Sequence, residues 1–300
     1  YLKEAVKDFT PERFERETGV KKELITEAAR MYAKAGSAAI CYTMGITQFS
    51  DGTSNVFSLS NLAILTGNLG KKGAGVNPLR GQNNVQGSCD MGALPNVIPA
   101  GAVNSAYAQE QARKVWHFEL NPVPGFKLTY APDKMDSGEL KVLYVYGENP
   151  VMSDPWTEHF VHATHHLDCF IVQDLFFTES AQKADVVLPA AGWGEKDGTF
   201  INTSRRVQRT RKASEPVGGV EPDWKVVCNI AKAMGLEGFD FLSAEEVWDE
   251  LRKLMPKFFG GISYYRLEKL GGISWPCPDE DHPGTPDLYT DHKSMLPDGK

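Results

Sequence analysis

Three groups of residues have types and spacings that could do chemistry. The first is Asn77–Pro95, reading NPLRGQNNVQGSCDMGALP. It is rich in glycine and side-chain amides and holds one guanidinium, Arg80, with Gln82 two residues on. Glycine and asparagine disfavour a helix and Pro78 breaks one. Apolar and polar residues do not alternate, so a strand is a poor fit. Its low net charge also argues against disorder. An irregular polar loop is therefore expected. Backbone N–H groups, amides and a fixed cation suit a large, polar, anionic ligand. A long surface connection with polar filler is the plain alternative, although structureless loops of this length are usually functional.

The second group is Gly147-Glu148-Asn149 with Gln173-Asp174. Each set follows an apolar, β-rich run. Ligands in open α/β sheets sit beyond the carboxyl ends of strands. An acidic or amide side chain there could meet a ribose hydroxyl pair or the N1 and N2 edge of guanine. Turn chemistry alone is the competing explanation. The third group is Arg205, Arg206, Arg209, Arg211 and Lys212. It could neutralise phosphates, dock an acidic partner or simply face solvent. His159, His162 and His166 share a helix face at i, i+3 and i+7. No carboxylate partner for them can be named, so an exposed helix face is expected and no metal ligand is assigned.

Several elements must position these groups. Thr10-Pro11 opens a helix that Gly19 closes. A second runs over Lys22–Lys34 with Leu24, Ile25, Ala28 and Tyr32 on one face. Ser37–Tyr42 (SAAICY) reads as a buried strand, which places Met44, Gly45 and Gln48 just beyond its end. Asn55–Leu65 reads as a helix with a broad apolar face. Gly67, Gly70, Gly73 and Gly75 then break regular structure. Residues 96–138 have poor periodicity, with a helix expected near Ala106–Phe118. Lys141–Tyr146, Cys169–Gln173 and Asp185–Leu188 are strands, joined by helices near Pro155–His166 and Glu179–Lys183. Strand–helix alternation implies a parallel sheet with right-handed crossovers. No GxGxxG follows any of these strands, so a standard NAD-binding half is not expected. Gly192–Gly198 is a loop. Ser243 with Glu246 forms a capping box for a helix ended by Pro256.

Bulk properties set the outer limits. The chain has 300 residues, 41% hydrophobic and 24% charged, with a formal net charge of −7. That fits two domains or one large α/β unit and argues against general nucleic-acid affinity. There is no run of about 18 apolar residues and so no membrane span, and no secretion signal is visible. Cys41, Cys89, Cys169, Cys228 and Cys277 form no CxxC pair. They supply no recognisable iron–sulfur or zinc motif, fit a reduced and hence cytoplasmic setting, and are expected to be buried, inert thiols.

The Asn77–Pro95 stretch closely resembles a segment of the catalytic subunit of formate dehydrogenases. These are molybdenum or tungsten enzymes that use molybdopterin guanine dinucleotide. Met44–Pro78 (MGITQFSDGTSNVFSLSNLAILTGNLGKKGAGVNP), Tyr144–Asp154 (YVYGENPVMSD), Val172–Arg209 and EPDWKVVCNIAKAMG (Glu221–Gly235) resemble the same subunit. The likeness covers nearly all of the chain. It implies an α/β fold of Rossmann-like parallel layers with helices on both faces. Residues 1–82 would be the end of a first domain, and 83–277 most of a second that binds the guanine dinucleotide. Residues 278–300, rich in Pro, Asp and Gly, would link to a further domain.

The resemblance also suggests roles. Arg80 matches the arginine beside the metal, where a planar fork would hold the formate carboxylate. Met44, Gly45, Gln48 and Gln82 match pterin-contacting positions. Gly147, Glu148, Asn149, Gln173, Asp174 and Thr178 match nucleotide-binding positions, and Asp223 matches one that hydrogen-bonds guanine. Helix capping next to Pro222 is a second role open to Asp223. Glu195 matches a family position whose role the sequence does not reveal. The family's metal-ligating cysteine or selenocysteine and its 4Fe-4S cysteines have no counterpart here. The chain alone is therefore expected to be inactive, and to work with the remaining domains and with iron–sulfur or diaphorase electron-transfer subunits. Two other readings stay open: another family member such as a nitrate reductase, against which the RGQNNVQG loop speaks, and a non-catalytic scaffold module, against which an intact Arg80 speaks.

Overall fold

The structure, a computed structural model, describes residues 2–293. The chain divides into two compact units. One runs to Gly81 and takes in residues from Pro286 onward; the other spans Gln82–Thr285.

In the first unit the helix Pro11–Thr18 starts where Thr10 Oγ1 accepts from the Arg13 N–H at 3.3 Å. It stops at Gly19, whose φ of 73° lets its N–H turn back to the Glu15 carbonyl, a conformation open mainly to glycine. The helix Lys22–Lys34 follows. Strand β1, Ala39–Tyr42, pairs in parallel with β2, Gly75–Pro78, and the helix Gly52–Leu65 crosses between them. Asn68 is fully buried and locks this crossover. Its Oδ1 accepts from the Ala38 N–H at 3.0 Å, and its Nδ2 donates to Thr66 Oγ1 at 3.1 Å.

Two expectations change here. β1 alternates between exposed and half-buried residues and is not a buried strand, because β2 is its only sheet neighbour among the described residues. β2 itself is a strand despite Gly75 and Pro78. Pro78 stands at its last position, where the missing N–H removes no interior ladder bond.

The second unit opens with the helix Val85–Asp90, inside the stretch expected to be irregular. Two side-chain contacts offset its poor composition. Asn84 Oδ1 accepts from the Ile201 N–H at 2.9 Å, and Gln86 Nε2 donates to Asp90 Oδ1 one turn on at 2.8 Å. β3 (Val97–Ile98) and β4 (Gly101–Ala102) form a small antiparallel pair. The helix Ala106–Trp116 is capped by Ser105. β5 (Val142–Tyr146), β6 (Cys169–Asp174) and β7 (Val186–Pro189) form the expected parallel sheet, in that order. The connection expected as one helix over 155–166 is a turn at Pro150–Ser153, the helix Thr157–Ala163 and a 3₁₀ turn to His166.

A second, antiparallel sheet has no clear signal in the sequence. Its strands are β8 (Gly198–Ile201), β9 (Arg206–Thr210) and β10 (Ile273–Ser274), with β9 central. It packs on the core of Ile201, Val207, Trp248, Phe259, Ile262 and Leu267. Another apolar cluster (Met135, Val151, Phe160, Ala163) lies under the parallel sheet's helices, and a third (Val145, Phe170, Val172, Ala181) holds the sheet itself. Residues 278–285, which composition reads as connecting chain, are tied down. Arg266 Nη2 donates to the His282 carbonyl at 2.7 Å, and the Thr285 N–H to that of Ser274. The end of the expected linker, 294–300, lies outside the described residues. Among the described residues no helix is long and apolar enough to cross a membrane.

Candidate functional site

The parallel sheet places the carboxyl ends of β5 and β6 side by side, with Tyr146 opposite Gln173. Gly147 turns the chain away at φ 65° and donates its N–H to the Gln173 carbonyl at 2.9 Å. That positive φ is what calls for glycine, since a Cβ here would meet open space. Asn149 bridges the loops after the two strands. Its Oδ1 accepts from the N–H and hydroxyl of Ser180 at 3.1 and 2.7 Å. Its Nδ2 donates to Glu179 at 2.8 Å, and this bond holds the Glu179 carboxyl below its usual range. Glu148 is exposed and accepts from Ser153 Oγ at 3.4 Å.

Gln173 is fully buried, so its amide must be satisfied internally. Its Oε1 accepts a short bond from the Tyr144 hydroxyl, and its Nε2 donates to Asp223 Oδ1 at 2.8 Å. Asp223 is 7% exposed and pairs through its other oxygen with Lys196. Lys196 also donates to the Ala191 carbonyl at 3.0 Å. Burial holds its ammonium below the usual lysine range, with Glu195 opposing. Tyr144, Gln173, Asp223 and Lys196 thus form one hydrogen-bonded chain behind the strand ends. Sequence reasoning found two of its members. Tyr144 and Lys196 gave no signal, because their partners stand far away along the chain.

The other nominated residues have local roles as well. Asp174 Oδ1 accepts from the N–H of Leu175 at 2.6 Å, which folds the loop after β6. Thr178 Oγ1 accepts from the Ala181 N–H at 3.2 Å and starts a 3₁₀ turn. Asp223 is the first residue of the helix Asp223–Ala233 rather than its cap, and its charge suits the positive end of that helix. The role of Glu195 becomes visible. Its carboxylate accepts from the N–H groups of Gly192 at 2.7 Å and Val217 at 3.3 Å, pinning two loops together.

A cleft of about 570 Å³ adjoins this chain, lined by Lys196, Arg209, Pro222, Trp224 and Tyr264 among others. The Arg209 guanidinium stacks 3.8 Å above the Tyr264 ring. Its Nε is buried and has no hydrogen-bond partner among the described residues. Most of the basic cluster is paired with carboxylates of the same chain, largely at the surface. Arg209 lies 3.6 Å from Asp197, Arg211 pairs with Glu268, and Lys212 pairs with Glu215.

In the first unit Met44 and Gly45 lie in the single turn Met44–Thr47, which follows β1, and Gln48 closes it with an N–H bond to the Met44 carbonyl. Arg80 is exposed just past β2. Gln82, also exposed, begins the second unit. The histidines do meet a carboxylate. Asp136, at the end of the helix Ala131–Asp136, bonds His159 Nε2 at 2.7 Å and His166 Nδ1 at 2.9 Å. The sequence hides this partner, because it lies more than 20 positions upstream. All five cysteines are free. Cys228 and Cys277 are buried as expected; Cys89 and Cys169 are only half-buried and Cys41 is exposed, so these three depart from that pattern.

The chain is similar to known proteins over most of its length. A family model described as molybdopterin oxidoreductase matches residues 17–233. The alpha subunit of F420-dependent formate dehydrogenase 1 from Methanococcus maripaludis is 50% identical over 99% of this chain and 44% of its own length. Formate dehydrogenase H of Escherichia coli is 45% identical over 91% of this chain and 38% of its own length. The chain therefore spans less than half the length of these relatives. The acetylene hydratase of Pelobacter acetylenicus shares the fold, with a TM-score of 0.67 over 96% of this chain and 42% of that one at 17% identity.

Proposed function

This chain belongs to the molybdopterin oxidoreductase family, and from that premise we propose that it is part of the catalytic subunit of a formate dehydrogenase. The protein would oxidise formate to carbon dioxide, releasing a proton and two electrons. When bound, a molybdopterin guanine dinucleotide carrying molybdenum or tungsten supplies the electron acceptor that no side chain provides. In this reading a 4Fe-4S cluster lies elsewhere in the subunit and passes electrons to an iron–sulfur or diaphorase partner. Five free cysteines suit a cytoplasmic setting.

The observation that carries the proposal is the chain of buried Gln173 and Asp223 and half-buried Lys196 behind adjacent parallel strand ends. A carboxylate oxygen has more than one lone pair. Asp223, already held by Gln173 and Lys196, keeps acceptor capacity for the N–H edge of guanine. Gly147 to Asn149 and Asp174 form the rim on which a ribose would rest. The adjoining cleft, lined by Arg209 and Lys212, suits an anionic tail. Arg80 would orient formate by a bidentate grip on its carboxylate, and Met44, Gly45, Gln48 and Gln82 would flank the pterin.

The test uses the full-length protein. Arg80→Ala should abolish formate-dependent dye reduction while leaving the bound molybdenum or tungsten unchanged, and Arg80→Lys should fail substantially because the fork is lost. Near-normal turnover by Arg80→Ala would remove the anion grip from the proposal. Asp223→Asn should lower the guanine nucleotide recovered from the purified protein.

A further inference from the structure

The helix Thr157–Ala163 and the 3₁₀ turn that continues it carry His159, His162 and His166 along one side. The helix Ala131–Asp136 ends against that side. Ligand atoms of Asp136, His162 and His166 all lie within 4.8 Å of one another. In a tetrahedral zinc site with bond lengths of about 2.0–2.1 Å, neighbouring donor atoms stand roughly 3.4 Å apart. Asp136 Oδ1 and His166 Nδ1 are already at 2.9 Å. All three side chains are exposed, so their rotations are not held by core packing.

His159 has a different place. Its Nε2 bonds the other carboxylate oxygen of Asp136 at 2.7 Å, and its ring lies 4.5 Å from that of Trp156. It therefore orients Asp136 without spending the Oδ1 face. A carboxylate fixed by a hydrogen bond from outside the donor set is the usual support of a metal ligand. Histidines four apart on a helix also converge on one ion, as in helix-borne zinc motifs. His162 and His166 have that spacing, with ring centroids 5.5 Å apart.

We propose that Asp136, His162 and His166 form a surface site for a divalent transition-metal ion of the zinc, nickel or copper type, with His159 as its orienting neighbour and solvent in the remaining position. Two imidazoles and one carboxylate select borderline ions over calcium or magnesium, which prefer all-oxygen shells. The ion would clasp the end of the helix Ala131–Asp136 to the segment entering β6. The site shares no residue with the pterin and nucleotide positions assigned above.

The experiment is a Zn²⁺ titration of the purified full-length protein against a competing chelator. Bound zinc is read by elemental mass spectrometry, which separates it from molybdenum, tungsten and iron. The wild type should retain one more equivalent of zinc than a His162→Ala, His166→Ala double variant. Single variants should bind it at least about tenfold more weakly. His159→Gln, which keeps all three donors, should weaken binding but retain the equivalent. Both deleted histidines are exposed, and circular dichroism will show that the variants stay folded. Equal zinc in wild type and double variant, or no zinc retained by the wild type, overturns the proposal. Neither outcome bears on formate turnover, so this test stands apart from the preceding one.

Discussion

Tyr264 shows how one side chain can carry both packing and charge. It is 4% exposed, sits on the core beneath β9, and has the Arg209 guanidinium over its ring. Burial pushes its phenol up to about 12, with Arg209 pulling the other way. The folded state thus keeps the proton where the unfolded chain, near its ordinary value of 10.0, gives it up. This contribution is fully present below pH of about 10 and is lost as pH climbs toward 12, at a slope of up to ~1.4 kcal/mol per pH unit. Urea unfolding from pH 9 to 12 should show wild type losing stability more steeply than Tyr264→Phe; parallel curves would refute it. Glycine gives a second case. A Cβ on Gly261 would meet the Asp279 carbonyl oxygen at 1.8 Å, and that contact is to backbone. Gly261→Ala should therefore destabilise by about 3 kcal/mol or more, within the range of overpacking and backbone strain. A variant with an unchanged denaturation midpoint would show that residues 278–285 do not press on the core as described.

Between elements, the join of the loops after β5 and β6 rests on few atoms. Buried Ser180 accepts from the Val151 N–H at 3.1 Å and donates to Asn149 Oδ1. Ser180→Ala would leave a buried N–H unsatisfied, at a cost of about 1–3 kcal/mol. Denaturant unfolding measures it, and a shift under ~0.5 kcal/mol would mean that water or a neighbouring carbonyl takes over. Elements signalled by local chemistry were legible from sequence. Thr10 and Gly19 bracket one helix. Ser243 starts another, its Oγ accepting from the Glu246 N–H at 3.2 Å. Three β-rich runs gave the parallel sheet with its ends in place, because apolar content and length suffice there. β9 was not legible. Only Val207 in RVQRT is a buried apolar residue, and the arginines beside it are held by partners remote in sequence. The site divides in the same way. Gln173 and Asp223 could be nominated, whereas the partnership joining them spans 50 positions, and Asp136 with His159 spans 23. Side-chain pairing at such distances is a property of packing, and no local pattern announces it.

At the scale of the molecule, the two units differ in what holds them. The unit spanning Gln82–Thr285 owns all three apolar clusters, including fully buried Phe160, Phe170 and Phe259. In the other unit only Gly52, Ala63 and Asn68 are buried among the described residues, while Leu24, Met31, Phe57, Ile64 and Leu65 are exposed. The helix Lys22–Lys34 has no buried residue at all, so helix propensity and half-covered side chains must sustain it, and isolated helices of that length are marginal in water. Apolar burial supplies most of the resistance to local opening. Hydrogen exchange on this chain should therefore run in two tiers. Amides of Lys22–Lys34 should exchange at least about a hundredfold faster, relative to their unstructured rates, than those of Phe170 and Val172 in β6; that ratio corresponds to ~2.7 kcal/mol of differential opening energy. Excised Gln82–Thr285 should keep the slow tier and unfold cooperatively, since its clusters are complete within those limits. If the two tiers merge, or if the excised unit loses protection in β6, then stability is shared across the boundary at Gly81 and the units are not energetically separate.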